Sequence, residues 1–266
     1  MIPVFRQAAV SRLEPVAENT FVLSYIDKEC GAELEPGQFC MISPEPGLSD
    51  IFLPRPFSYY RLTEPDTVEI LFRIVGKATR WMAKLNPGDR IHVFGPLGRG
   101  FTTRPDTTRA ILVGGGIGLP PLVFLARKLA ELQKNLEIDL LYGETTGARV
   151  IDLLGVLPER VRCRVATENG LVGHKGLVTE LFSEIFDGLD NLPAVYTCGP
   201  KAMMAALAGM LNPEEIRLFE ASLEENMACG IGICQGCAVP LKGDKVRYEC
   251  CCTQGPVFNG FEIQWQ

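Results

Sequence analysis

Six of the chain's ten cysteines fall between Cys229 and Cys252, and their spacing limits the possible folds more than any other feature. The run Cys229-Gly-Ile-Gly-Ile-Cys234-Gln-Gly-Cys237 has the form C-x4-C-x2-C, and the block Cys250-Cys251-Cys252 follows at a distance. This is the plant-type spacing for a [2Fe–2S] cluster. Four thiolates must converge on two irons, and three of them come from one tightly wrapped loop. Gly230, Gly232 and Gly236 give the loop its conformational freedom. They also let backbone N–H groups approach the sulfurs, where such hydrogen bonds raise the reduction potential. Zinc is the competing reading, with inert buried thiols a third. Structural zinc sites usually pair two C-x2-C knuckles, and the second is missing because residues 250–252 are contiguous. Three adjacent cysteines cannot all point at one cluster. Spacing leaves open whether the fourth ligand follows Cys237 after 12, 13 or 14 residues.

The other four cysteines, Cys30, Cys40, Cys163 and Cys198, are scattered. A disulfide framework suits short secreted chains, whereas 266 residues have room for two ordinary domains and a small appendage. The 47% hydrophobic content suffices for a real core. With 32 acidic against 26 basic residues and no basic stripe, neither a nucleic acid nor a membrane surface is an expected partner. No apolar run approaches the ~18–20 residues of a membrane span. The first residues, MIPVFRQAAVSRLEP, lack the basic-then-apolar order of a signal peptide, so a cytoplasmic location is expected.

Residues 1–102 read as an all-β domain. Runs rich in β-branched and aromatic residues recur at 20–26, 38–43, 67–75 and 90–94, separated by Pro and Gly at 35–37, 44–47 and 86–89. Evenly spaced short strands predict a small antiparallel barrel or sandwich, with one helix at 77–85. From 103 to 215 strands alternate with helices. Strands are expected at 110–113, 136–142, 161–166 and 194–198, and helices at 121–134, 176–186 and 200–211. That alternation predicts a parallel sheet with helices on both faces. Residues 216–266 carry the cysteine cluster and little periodicity. The fold class is therefore α/β plus β, with three parts in chain order.

The strand at 110–113 runs into Gly114-Gly115-Gly116-Ile117-Gly118-Leu119-Pro120-Pro121 and then a helix. A glycine turn in that position lets a pyrophosphate lie against N–H groups at the helix start, and proline suits the first turn. The G-x-G-x-x-G form is only partly met, so a plain tight turn stays open. Glu144 can accept from a ribose hydroxyl and favour NAD over NADP, or stand as a solvated loop glutamate. A second turn, Cys198-Gly199-Pro200, ends the strand 194–198 on the same carboxyl edge, where open parallel sheets bind ligands. Cys198 is there either a neighbour of a nicotinamide or a buried apolar cysteine. In the barrel, Arg55-Pro56-Phe57-Ser58 offers a guanidinium fork for phosphate or flavin oxygens and a hydroxyl for a flavin nitrogen.

R-P-x-S in a barrel, then a glycine turn in an α/β domain, then C-G-P, resembles the ferredoxin–NADP reductase superfamily. There the barrel holds FAD and the second domain the nicotinamide nucleotide. The stretch Ser222-Leu223-Glu224-Glu225-Asn226-Met227-Ala228-Cys229-Gly230-Ile231-Gly232, with Cys252-Thr-Gln-Gly255-Pro256-Val257-Phe258, is similar to the electron-transfer subunit of NAD-dependent class B dihydroorotate dehydrogenase. The resemblance implies FAD held by Arg55, Pro56, Phe57 and Ser58, by Leu71, Phe72 and Arg73, and by Ala78 and Thr79. It implies NAD at Gly114, Gly115, Gly116 and Gly118 with Cys198, Gly199 and Pro200, and cluster ligands Cys229, Cys234, Cys237 and Cys252, the last because the family's fourth ligand precedes an x-D-G-P-V-F segment. Two positions depart from the family pattern: Ala78 stands for the glycine of a G-T pair, and Gln254 for the aspartate of D-G-P. The implied partner is an FMN-containing dihydroorotate dehydrogenase catalytic subunit in a heterotetramer of two of each. The implied route takes electrons from dihydroorotate through the partner's FMN to the cluster, FAD and NAD+, in pyrimidine biosynthesis. A flavin belongs between a one-electron and a two-electron carrier. No general acid or base is implied, and His92 and His174 lack motif company. The alternative keeps the cofactors and changes the partner: the small subunit of an NADH-dependent ferredoxin:NADP reductase or of a sulfhydrogenase-type complex. Some such subunits place an aspartate among the cluster ligands, so an all-cysteine set favours the dihydroorotate enzyme.

Overall fold

The computed structural model describes residues 3–28, 34–45, 47, 50–64, 66–104, 106–187, 192–243 and 247–265. Cys30 and residue 46 of the turn at 44–47 lie outside them. Six antiparallel strands close a barrel: β1 (Val4–Ala17), β2 (Thr20–Ile26), β3 (Phe39–Ser43), β4 (Arg55–Glu64), β5 (Thr67–Arg73) and β6 (Arg90–Leu97), in the order β1-β2-β5-β4-β3-β6, with β1 pairing β6. Its interior is filled by Val10, Leu23, Tyr25, Ile42, Tyr59, Val68, Ile70, Ile91 and Val93, all at most a few per cent exposed. The helix expected at 77–85 is α1 (Lys77–Met82). Two barrel strands escaped the periodicity. β1 shows weak alternation because only Ala8 and Val10 of its fourteen residues are fully buried. β4 has a proline, Pro56, as its second residue, which reads as a breaker.

The second sheet has seven strands in the order β10-β9-β8-β7-β11-β12-β15. They are β7 (Arg109–Gly115), β8 (Glu137–Glu144), β9 (Val161–Thr167), β10 (His174–Lys175), β11 (Ala194–Cys198), β12 (Leu218–Ser222) and β15 (Val257–Asn259). All pairings are parallel except β12 with β15. Helix α2 (Leu119–Leu132) packs on one face, against an apolar cluster that also takes Tyr60 and Leu71 from the barrel. Helices α3 (Val178–Phe186) and α4 (Lys201–Met210) bring Phe182 and Leu207 to the cluster on the other face. None of these helices is long and apolar enough to cross a membrane.

The sheet does not stop at residue 215. β12 extends it, and β15 returns to it after the hairpin β13 (Ala238–Leu241) and β14 (Arg247–Cys250). Strand order reverses at β7, with β8 on one side and β11 on the other, so the crevice at their carboxyl ends is a topological switch point. The glycine turn and Gly199-Pro200 meet there. A Cβ on Gly118 would lie 2.4 Å from the Cys198 carbonyl oxygen and 2.6 Å from the Gly199 Cα, so only glycine lets the two turns touch. Because those contacts are backbone and cannot swing aside, Gly118→Ala is expected to destabilise the fold by about 1–3 kcal/mol, the usual cost of overpacking. Thermal denaturation against the parent chain checks this, and an unchanged Tm would contradict it.

Candidate functional site

The cysteine loop, 229–237, lies against strands β3 and β6 of the barrel. A Cβ on Gly230 would sit 3.1 Å from Met41 and 3.2 Å from Leu97, and its φ of +71° is in the left-handed region that glycine adopts freely. Gly232 is also left-handed, at +79°, whereas Gln235 rather than Gly236 takes the third such position. The loop turns N–H groups inward. Cys229 Sγ accepts from Ile231 and Cys234 at 3.5 and 3.4 Å, and Cys252 Sγ accepts from Gly232 at 3.1 Å.

The thiols contact one another as Cys229 with Cys234 and Cys237 with both Cys252 and Cys250. The N–H groups of Cys234 and Ile231 bring the Cys229 thiol down to about 6. Burial, with Cys237 beside it, pushes Cys252 up to about 12. A cation between the pairs reverses that second effect, because metal coordination deprotonates thiols outright.

The three adjacent cysteines separate by direction. Cys251 is fully buried among Phe39, Leu223 and Val239, and its thiol donates to the Leu223 carbonyl at 3.3 Å. Cys250 ends β14 half-buried, in contact with Cys237, and its own N–H donates to the Gln254 side chain at 2.9 Å. Cys252 has both the thiol contact and an N–H donating to its sulfur. Of the scattered cysteines, Cys40 is in the barrel core and Cys163 is exposed on β9.

Two cavities meet at the barrel–sheet junction. One, of about 620 Å³, is lined by Gly115, Gly116, Gly118, Gly199 and Pro200, with Glu144 and Met203. The other, of about 490 Å³, is lined by Pro56, Phe57, Ser58, Leu71, Phe72 and Thr79, with Met227. Both include Arg73, Ile117 and Glu224. The expected nucleotide and flavin residues thus divide between two adjoining spaces, with four standing back. Gly114 is under Leu122 within β7. Ala78 is buried in α1. Arg55 turns away, donating to the Leu53 and Pro54 carbonyls at 2.7 and 3.2 Å. Cys198 lies behind the wall, bonded to Ser222, and burial first and the Glu224 charge second push its thiol well up. The Thr79 hydroxyl is occupied by the N–H groups of Val75 and Gly76 at 2.9 and 3.0 Å, which caps α1. Glu144 is no solvated loop residue: its side chain is 2% exposed, paired with Arg73. His92 packs edge-on against Phe5, His174 pairs with Glu180, and neither is among the residues lining these two cavities.

Sequence reasoning missed Lys201, Glu224 and Met227 as lining residues. Lys201 pairs with Glu225 at 2.6 Å, which pins the segment after β12 to the start of α4. The only signal was position: these residues flank the C-G-P turn and the first cluster cysteine.

The family model for the iron–sulfur cluster binding domain of dihydroorotate dehydrogenase B matches residues 224–264. A dihydroorotate dehydrogenase B (NAD(+)) electron transfer subunit from Desulforamulus reducens is 33% identical over 261 residues, covering 97% of this chain and 98% of that one. The chain belongs to this family. The subunit of that name from Listeria monocytogenes is 37% identical over 239 residues, covering 89% of this chain and 90% of its own. Among solved structures, an NADH-dependent reduced ferredoxin–NADP oxidoreductase superposes with a TM-score of 0.84 at 25% identity, over 97% of this chain and 90% of that one. The ferredoxin reductase of carbazole 1,9a-dioxygenase shares the fold, with a TM-score of 0.70 at 22% identity over 82% of this chain and 69% of its own. An oxidoreductase component of the dihydroorotate dehydrogenase B electron transfer family, with FAD, a [2Fe–2S] cluster and NAD as cofactors, fits all of these.

The thiol geometry yields an ordering of variants. Cys252→Ser is expected to abolish the iron–sulfur visible absorption and iron content, whereas Cys250→Ser and Cys251→Ser retain both. Loss of iron in Cys251→Ser would show that the fourth ligand is misassigned.

Proposed function

We propose that this chain relays electrons taken from dihydroorotate by an FMN-containing catalytic subunit to NAD+, as the electron transfer half of a cytoplasmic heterotetramer of two of each subunit. When bound, the [2Fe–2S] cluster supplies one-electron transfer and the flavin exchanges electrons singly or in pairs. The rest falls to the protein. Cys229 and Cys234 would hold one iron and Cys237 and Cys252 the other, with N–H groups of Ile231, Gly232 and Cys234 easing the charge on sulfur. Phe57, Leu71 and Phe72 give the barrel cavity an apolar wall for a flavin ring, with Ser58 as its hydroxyl. The glycine turn at the start of α2 offers N–H groups to a pyrophosphate. The division of labour is residues 1–102 for FAD, 103–215 for NAD and 216–266 for the cluster.

One observation carries the reading: the three sites lie in series. The cysteine loop rests on Met41 and Leu97 of the barrel, Met227 just before it lines the barrel cavity, and that cavity shares Arg73, Ile117 and Glu224 with the glycine-turn cavity. Ile231, Ile233 and Tyr248 around the loop are exposed, which suits a surface where a partner delivers electrons. The superposition on the NADH-dependent ferredoxin–NADP oxidoreductase supports the second reading, the same relay with a different partner.

Reconstitution decides between them. Dihydroorotate:NAD activity is expected only on mixing the holo chain with an FMN catalytic subunit, and ferredoxin:NADP activity on mixing would select the second reading. Cys234→Ser is expected to remove the iron–sulfur signal and the mixed activity while FAD and NADH diaphorase activity remain. Loss of all bound flavin from that variant would contradict separate sites.

A further inference from the structure

Arg73 stands where the two cavities share a wall, at the end of β5, and each edge of its guanidinium meets a different part of the chain. Nε donates to the Thr20 hydroxyl at 3.1 Å, within the barrel. Nη2 donates to Glu144 at the end of β8, across the junction in the α/β sheet. Nη1 faces the glycine turn, 3.9 Å from where a Cβ on Gly116 would be. Glu144 is itself held, because the Tyr142 hydroxyl donates to its Oε1 at 2.9 Å. Burial, with the Glu144 charge second, pushes Tyr142 far above its ordinary range, so it stays a donor. Side-chain exposure is 14% for Arg73 and 2% for Glu144, so solvent screens this pair far less than a surface one.

We infer that Glu144 is a positioning residue for the flavin site. It acts through Arg73, although it belongs to the nucleotide domain and has no place in the barrel motif. With Thr20 fixing one edge of the fork and Glu144 the next, the guanidinium is held in the wall of the barrel cavity with its remaining edge toward the glycine turn, and its rotamer freedom does not have to be given up when a flavin enters that cavity. The strand ends of the α/β domain thereby set how well the barrel retains FAD. The inference rests on the proposed flavin and nucleotide sites. It differs from the reading of Glu144 as a ribose ligand, and the two bonds it rests on both engage Oε1.

The test is removal of FAD from the purified chain and titration back, following flavin fluorescence, in the parent, Glu144→Ala, Glu144→Gln and Thr20→Val. Losing one charge-assisted hydrogen bond that orients the guanidinium is expected to raise the FAD dissociation constant roughly 10- to 100-fold in Glu144→Ala. Thr20→Val is expected to move it in the same direction from the opposite edge. Glu144→Gln, whose amide oxygen can accept from both Arg73 and Tyr142, should restore most of the affinity. A merely structural pair would lower Tm without moving the dissociation constant, and that result overturns the inference. So does a raised KM for NADH with unchanged FAD affinity, which would make Glu144 a nucleotide ligand. If Glu144→Ala does not fold, Thr20→Val and Glu144→Gln decide the matter by the same readout. A parent chain that takes up no FAD at all would instead defeat the proposed function.

Discussion

Thiolates gathered within contact of one another repel, and burial increases the cost of each charge. If Cys229, Cys234, Cys237 and Cys252 are the ligands proposed above, holding them together as thiolates takes positive metal between them and a frame rigid enough to hold the loop. The frame is an apolar cluster to which the barrel gives Phe39, Met41 and Leu97, the sheet Ala221 and Phe258, and the hairpin Val239 and Leu241. Cys237, Cys251 and Cys252 are counted within that same cluster. The loop is therefore fastened to both larger domains at once, and the distances between sites follow from packing rather than from a linker.

Much of this was legible in advance because the informative residues are chemically narrow. Cysteines in that spacing read as a cluster motif, and only glycine permits the turn at Gly118. The alternation of apolar runs located β2, β5, β8, β9 and β11 within a residue or two. What stayed hidden depends on long-range pairing. β1 has too few buried residues to alternate clearly, and β12 and β15 are short strands that exist because their neighbours offer open backbone groups. The same holds at the site. Nothing local tells that Arg55 folds onto its own loop while Arg73, seemingly one residue of a triplet, becomes the shared wall. Glu144 read as either a sugar ligand or a solvated residue, and its partner is 71 positions away.

Cys251 illustrates how one motif can hold two kinds of cysteine. Its neighbours on either side face the thiol cluster, while the turn after β14 sends its own sulfur inward to the Leu223 carbonyl. That contact ties the tail to the segment Leu223–Met227, which supplies Met227 to the flavin-side cavity and Glu224 to both. A thiol that adds no ligand in this reading thus serves as packing beneath the segment that lines both cavities.

The return of β15 to the edge of the parallel sheet has a bearing on how such a chain can be rearranged. β12 is bordered by β11 on one side and by residues 257–259 on the other, so the cysteine loop and the hairpin that follows it are inserted between two strands of the same layer. Recombination that grafts this hairpin elsewhere must carry a host strand on each flank. Cutting the chain ahead of β15 would strip a neighbour from β12 and leave its hydrogen-bonding edge open to another molecule. Electron-transfer chains assembled from interchangeable cassettes need cut points between layers, and here the natural cut point lies inside one.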